Sequence, residues 1–391
     1  MKKAIHADRI SRRAFCQTAA VAGAALTVLG NRGIAQVQAP PQKPSTNRAD
    51  ALKHPRTPLS MPGAYPGAVQ QVSHAGVLRD GVPDTAILDA MVSRALLGLT
   101  GLTAIDDAWR TFVGPKDIIG LKVNPVAGKL LSTSPEIVEV IIRQLQHAGI
   151  PKDHIVIWDR REFELADAGF TAERFPGIRL VGTERKDDAG SFTNAEGVLH
   201  SEAMIDREWY YWADCEEKYD AETLPYMVNE GKHSYFTRLV TKDLTKIINI
   251  PILKNAGASV TLCLKNLAYG AITNTGRLHK QLWAETCAEV PAFPPLRDKV
   301  VLNIVDGIRG CYNGGPGANP QFFTDYKTIL VGTDPVAVDR VGYDIVIKKR
   351  IEEKVQKEDT PRGRSFLLLA EQMGLGTAER EKITLEHTTL S

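Results

Sequence analysis

The chain has 391 residues, enough for roughly two or three domains of ordinary size or one large elaborated one. With 43% of its residues hydrophobic and 24% charged, it has the composition of a folded globular protein, which excludes a disordered, collagen-like or disulfide-dense scaffold. Forty-eight Lys and Arg against 46 Asp and Glu leave a net charge of +2, too small an excess to form a nucleic-acid surface.

Even that excess sits at the N-terminus. Residues 1–35 carry Lys2, Lys3, Arg9, Arg12, Arg13 and Arg32 against Asp8, and the remainder holds 42 basic and 45 acidic side chains, a formal charge of −3. The segment reads Ser11-Arg12-Arg13-Ala14-Phe15, then an apolar Ala-rich run from Ala19 to Gly30, then Gly33-Ile34-Ala35 with small residues suited to a signal peptidase. This pattern resembles a twin-arginine export signal. The apolar run is shorter than the ~20 residues a bilayer crossing needs, so no stable membrane span is expected after cleavage. The expectation is a periplasmic or otherwise exported protein whose first partner is the twin-arginine export machinery. Residues 36–62, with Pro40, Pro41, Pro44 and Pro55, read as a Pro-rich linker, and residues 63–391 as a single α/β domain.

Within that domain, Ile87, Leu88, Met91, Val92, Ala95, Leu96 and Leu99 recur at helical spacing over Asp84 to Leu99. Asp117 to Asn124 reads as a short buried strand. Ser134-Pro135 offers a cap and a first-turn proline for a helix to Ala148, stopped by Gly149, and His154 to Asp159 is a second β-branched strand. Residues 184–235 lose the regular alternation and read as an insertion or lid, with the aromatics Trp209, Tyr210, Tyr211 and Trp212 as its small core. Lys246 to Leu253, Lys299 to Asp306 and Lys327 to Thr333 are three further strands; Ser259 to Leu267, Asp334 to Lys348 and Arg364 to Met373 are helices. Apolar strands alternating with amphipathic helices predict a layered α/β fold with a mainly parallel sheet flanked by helices.

In a parallel sheet, ligands collect at the carboxyl ends of the strands. The strand ends here are Lys122-Val123-Asn124, Asp159-Arg160-Arg161, Lys254-Asn255, Asp306-Gly307 and Thr333-Asp334, with Lys265-Asn266 and then Asn274, Arg277 and His279 following the third strand. Lys122, Lys254 and Lys265 would give positive charge to a small anionic molecule, which Asn124, Asn255 and Asn266 would orient. Asp306, Asp334 and Asp339 would act as acid, base or oxygen ligands to a divalent metal, although Asp334 also fits a helix cap and Asp339 a surface ion pair. His279 is a candidate base or ligand. The glycines of Gly307 to Gly317, Gly314 and Gly315 among them, suit a tight turn or an anion cradle but match neither nucleotide-binding fingerprint. After the signal, Cys215, Cys263, Cys287 and Cys311 are dispersed with no Cys-x-x-Cys pair, so there is no local iron–sulfur motif, and their pairing is left open.

The order Lys122-x-Asn124, Thr133-Ser134-Pro135-Glu136, Ile250-Pro251-x-x-Lys254, Val260-Thr261-Leu262-x-Leu264-Lys265-Asn266, Asp306-Gly307, Gly314-Gly315-Pro316 and Asp334-Pro335-Val336-Ala337-Val338-Asp339 resembles the domain-of-unknown-function family 362, over roughly residues 115–345. The resemblance implies a shared fold, and it implies that Lys122, Asn124, Lys254, Lys265, Asn266, Asp306, Asp334 and Asp339 are characteristic positions. It implies no reaction. Some members of that family carry a cysteine-clustered, ferredoxin-like segment, which this chain lacks. Three readings follow: an exported enzyme acting on a small anionic substrate, with Lys265 and Asp306 or Asp334 in the chemistry; a non-catalytic periplasmic ligand-binding protein; and a redox or metal-handling protein.

Overall fold

The structure, a computed structural model, describes residues 43–391 apart from Ala258. The expected export signal lies outside the described residues. The largest sheet has eleven strands: β1 Ala68–His74, β2 Ile119–Lys122, β3 Ile155–Arg161, β4 Arg179–Glu184, β5 Lys246–Asn249, β6 Ile252–Ala256, β7 Ser259–Thr261, β8 Val300–Cys311, β9 Phe323–Thr324, β10 Thr328–Gly332 and β11 Thr384–Leu390. Eight follow the order β11-β1-β10-β8-β5-β2-β3-β4, while β6 pairs with the far part of β8, β7 with β6, and β9 with β8. The neighbours β8, β5, β2, β3 and β4 are all parallel, as are β1 and β11. The layered, mainly parallel α/β fold is therefore present.

Successive strand residues point to opposite faces, and both faces are covered. Ile119, Leu121, Ile155, Ile157 and Ile248 pack under the helices Thr85–Thr100 and Pro135–His147. Val156, Trp158, Ile247 and Val305 pack on the other face, beneath the helices Cys263–Ala271, Trp283–Glu289, Pro335–Glu352 and Pro361–Gln372. Asp84 caps the first helix by accepting from Ala86 N and Ile87 N, and Gly101 ends it in the left-handed region. Among the described residues no helix is long and apolar enough to cross a membrane.

Four expectations need correction. Strand β10 runs antiparallel to both β1 and β8, so Thr333-Asp334 leaves the sheet at the rim opposite the ends of β2 and β3. The expected strand Lys246 to Leu253 divides into β5 and β6 at Pro251, which has no N–H for the ladder and whose carbonyl instead accepts from Asp306 N at 2.8 Å. The expected helix from Ser259 begins only at Cys263, because Ser259–Thr261 pairs with β6. Residues 43–62, expected to be part of an extended linker, pack instead: helix Arg48–Lys53 buries Ala51, Met61 is fully buried, and Arg297 donates to the carbonyls of His54 and Pro55.

The segment 184–235 has no place in the large sheet beyond the end of β4. It contains a separate hairpin of Ile205–Trp212 and His233–Thr237, and Tyr211 anchors it by donating to Glu289 at 2.8 Å.

Candidate functional site

The site begins with a row of polar residues in register across the parallel strands. Lys122 of β2 stands beside Asn249 of β5, and Asn249 beside Asn303 of β8, so their side chains share one face. Helix Cys263–Ala271 crosses that face and lowers Asn266 into the row. Asn266 donates to Asn249 Oδ1 at 2.9 Å, Asn249 to Asn303 Oδ1 at 2.9 Å, and Asn303 to the carbonyl of Thr333 at 3.2 Å. Asn124 Nδ2 and Lys122 Nζ both donate to Asn266 Oδ1 at 3.0 Å. The amides of Asn249, Asn266 and Asn303 thus find partners on both sides, which is the condition for a polar row inside a core, while the Asn124 side chain is bonded, among the described residues, through its Nδ2 alone.

Lys122 is fully buried, and its ammonium spends all three donors on the floor: Asp159, Asn266 Oδ1 and the carbonyl of Val123. Burial pulls its pKa below the usual lysine value, and the adjacent Asp159 opposes that pull. Lys122 therefore holds the site together instead of presenting a charge to a ligand.

The helix that delivers Lys265 and Asn266 is aimed by Asp339. Its two carboxylate oxygens accept from Cys263 N at 2.6 Å and Leu264 N at 3.0 Å, filling the orphan donors of the first turn. Asp339 is fully buried, not a surface ion-pair partner, and burial raises its pKa to about 7.

Above this floor lies a cavity of about 160 Å³. Asn124, Lys254, Lys265, Asn266 and His279 line it together, which brings five of the expected residues to one place. Asp159, Arg160, Glu164, Thr261 and Tyr269 are also in the wall. Lys254 is fully buried with one acceptor, the Val126 carbonyl at 3.1 Å, and no carboxylate within ion-pair distance. Burial, aided by the neighbouring Lys265 charge, lowers its pKa to about 7. Lys265 stands 5.7 Å over the Tyr269 ring, and burial lowers its pKa as well. Two lysines thus face one small space, and among the described residues neither forms an ion pair, although Asp159 and Glu164 stand in the same wall, held by Lys122 and Arg161.

His279 packs against Tyr269 with ring centroids 4.2 Å apart, and its Nδ1 lies 3.1 Å from the Thr275 carbonyl. A carbonyl only accepts, so Nδ1 carries the proton and Nε2 keeps its lone pair. Desolvation on the side packed against Tyr269, with Lys265 and Arg160 nearby, lowers the pKa of this otherwise solvent-exposed His279 to about 4 and favours the neutral ring. Asn124 Oδ1 and Thr261 Oγ1 are buried and have no hydrogen-bond partner among the described residues.

The remaining expected residues lie elsewhere. Asp306 accepts from Ser134 N at 2.8 Å and Ile308 N at 3.0 Å; it holds the start of helix Pro135–His147, which the Ser134 side chain does not cap. It borders a different hollow, with Ser134, Arg174 and Arg309. Asp334, on the opposite rim, accepts from Gly67, Val336, Ala337 and Thr377 N–H groups and is a helix cap. Asn255 braces its own turn by donating to the carbonyls of Gly257 and Ser259. Gly314 and Gly315 do not line the cavity; a side chain on Gly315 would strike the Asn255 backbone, and only the next residue, Pro316, reaches the wall. Half of the glycine segment is strand, since β8 continues to Cys311.

Neither Thr261 nor Tyr269 stands out along the chain as a wall residue. Tyr269 follows Lys265 by four positions, and that spacing places both on one helix face. Arg160 and Arg161, at the end of β3, pair with Glu184, and Arg161 also pairs with Glu164.

Cys215, Cys263, Cys287 and Cys311 are all free and buried. Among the described residues no group of three or more His, Cys, Asp or Glu side chains is placed to hold a metal ion.

Comparison with curated proteins gives no match. A crystal structure of a protein from Thermotoga maritima is similar at 10% identity with a TM-score of 0.37, over 69% of this chain and 60% of that one. The chain thus spans less than two thirds of that protein, and a likeness so loose carries no argument about activity. The family model described as Domain of unknown function (DUF362) matches residues 119–344, more than half of the sequence, and includes every strand and helix that builds the cavity. The chain belongs to the DUF362 family.

Proposed function

We propose that this protein is an enzyme acting on a small anionic molecule bound in the cavity between β2, β3, β6 and helix Cys263–Ala271. One observation carries the reading: the fully buried Lys254 and the partly buried Lys265 line the same small space, and among the described residues no carboxylate is paired to either. A buried cation without a counter-charge is costly, and a bound anion removes that cost. Asn124 Oδ1 and the Thr261 hydroxyl, both lacking partners among the described residues, supply further polar contacts for orientation. Catalysis, as opposed to capture alone, is favoured by bases within the same wall: a neutral His279 with an open nitrogen and an amine at Lys254 that loses its proton near neutrality.

Calorimetric titration with oxalate and with inorganic phosphate tests the anion site. Binding that weakens at least about tenfold in Lys265→Met supports it; undiminished binding in that variant, or no binding to the intact protein, removes it.

We further propose that residues 1–35 direct export through the twin-arginine route and that the protein works in the periplasm. The support is the Arg12-Arg13 pair, the short apolar run and the small residues before Gln36. Replacement of both arginines by lysine should leave the full-length chain in the cytoplasm; processing and export of that variant at the normal rate would remove the proposal.

A further inference from the structure

Two buried lysines of the site differ in a way that bears on chemistry. Lys122 is held by Asp159, and its ammonium has no donor to spare. Among the described residues Lys254 has only the Val126 carbonyl as acceptor, and the charge that acts on it most strongly is another cation, Lys265. A lysine placed this way gives up its proton easily and exposes a nitrogen lone pair to the cavity. Across the β6–β7 pair, Thr261 sits directly opposite Lys254 in the register, so the two side chains leave the same face. The Thr261 hydroxyl is buried and without a partner among the described residues, and it lines the same cavity as Lys254.

The geometry points to Lys254 as a covalent nucleophile that forms an imine with the carbonyl carbon of a small oxo acid, whose carboxylate lies against Lys265 and whose carbonyl oxygen meets the Thr261 hydroxyl. The inference rests on the anion-binding reading above and names its substrate class. The bonds balance without an outside oxidant or reductant. The Lys254 nitrogen adds to the carbonyl carbon, the carbonyl π pair moves to oxygen, and a proton passes from nitrogen to that oxygen to give a carbinolamine. The carbon–oxygen bond then breaks and the hydroxyl leaves as water, taking up a proton, while nitrogen forms the double bond to carbon. His279, neutral with an open Nε2, lines the same wall and is the base we assign to carry the proton between these atoms. The positive charge of Lys265 selects an acid over a neutral aldehyde or ketone of the same size.

Reductive trapping tests the assignment. The intact protein is incubated at neutral pH with pyruvate, with glyoxylate and with acetone as an uncharged control, in the presence of cyanoborohydride, and the adducts are mapped by peptide mass spectrometry. The expected result is one reduced adduct on the peptide bearing Lys254, formed from the oxo acids on the order of tenfold faster than on any exposed lysine, because exposed amines are almost entirely protonated at that pH. Acetone should label it at least about tenfold more slowly than the oxo acids. Lys254→Arg should lose the adduct while keeping the far-UV circular dichroism and the cooperative thermal unfolding of the intact protein, which shows that the variant is folded. Labelling spread over surface lysines, or none at Lys254 while oxalate still binds, overturns the inference and leaves the anion site standing. Failure of both labelling and oxalate binding overturns the two together.

Discussion

The side chain of Lys122 passes directly beneath Gly270, so close that a Cβ at Gly270 would overlap its Cε and Nζ. Gly270 lies in helix Cys263–Ala271, and its lack of a side chain lets the helix settle onto the sheet over the Lys122–Asp159 pair. Gly270→Ala tests that contact. In an ordinary helix the change stabilises by about 1 kcal/mol. Here it should destabilise by about 1–3 kcal/mol through overpacking and weaken oxalate binding, as read by urea denaturation and calorimetry. An alanine variant more stable than the parent would contradict the arrangement.

The buried pair itself should behave asymmetrically. Asp159→Asn leaves the fully buried Lys122 ammonium without its counter-charge and should cost about 3–5 kcal/mol. Adding Lys122→Met to it should recover much of that loss, since an apolar chain needs no partner. A double-mutant cycle in urea denaturation measures the coupling; additive losses would mean that the two groups do not depend on each other.

Lys254 predicts a pH dependence with a definite sign. Its folded pKa, about 7, lies below the ordinary lysine value of 10.5, under the combined influence of burial and Lys265, with Glu164, Cys311 and Asp159 opposing. Between those two values the unfolded chain holds the extra proton, so folding stability rises with pH across the window, and the burden is fully felt below about pH 7. Lys254→Met should therefore stabilise the protein near pH 6, and that gain should shrink steadily as the pH is raised through 7 towards 10. Thermal unfolding at several pH values reads it; a gain that does not change with pH would show that Lys254 is not held neutral.

Asp339 and Asp334 should separate positioning of the site from support of the fold. Asp339→Ala removes the cap that aims Lys265 and Asn266, so it should cost about 1–2 kcal/mol and also weaken oxalate binding. Asp334→Ala removes a cap on the opposite rim and should lower the melting temperature with oxalate affinity unchanged. Equal effects of both substitutions on affinity would argue against the assignment of these two carboxylates.

Much of the molecule can be read along the chain. Apolar β-branched runs gave the strands at Ile119, Ile155, Val300 and Thr328, and capping pairs such as Asp334-Pro335 marked helix starts, because these signals are local. Lys254, Lys265 and Asn266 were also legible as neighbours of one rim, Lys254 on a strand that runs parallel to β8 and Lys265 and Asn266 on the helix that follows it. The reversal of β10 was not legible: an apolar run looks the same in either direction, and that reversal removed Asp334 from the site. Nor could the three lysines be told apart, because Lys122 meets its counter-charge at Asp159, in the neighbouring strand, whereas Lys254 meets Lys265.

The sequence by itself determined an alternating α/β chain with cationic and amide residues at strand ends, since propensity, periodicity and capping act over a few neighbouring residues. Tertiary structure alone decided which of those residues are satisfied and which are left facing a cavity. Charge pairing and desolvation depend on partners brought together by strand order, and one reversed strand or one missing side chain at Gly270 is enough to change the outcome.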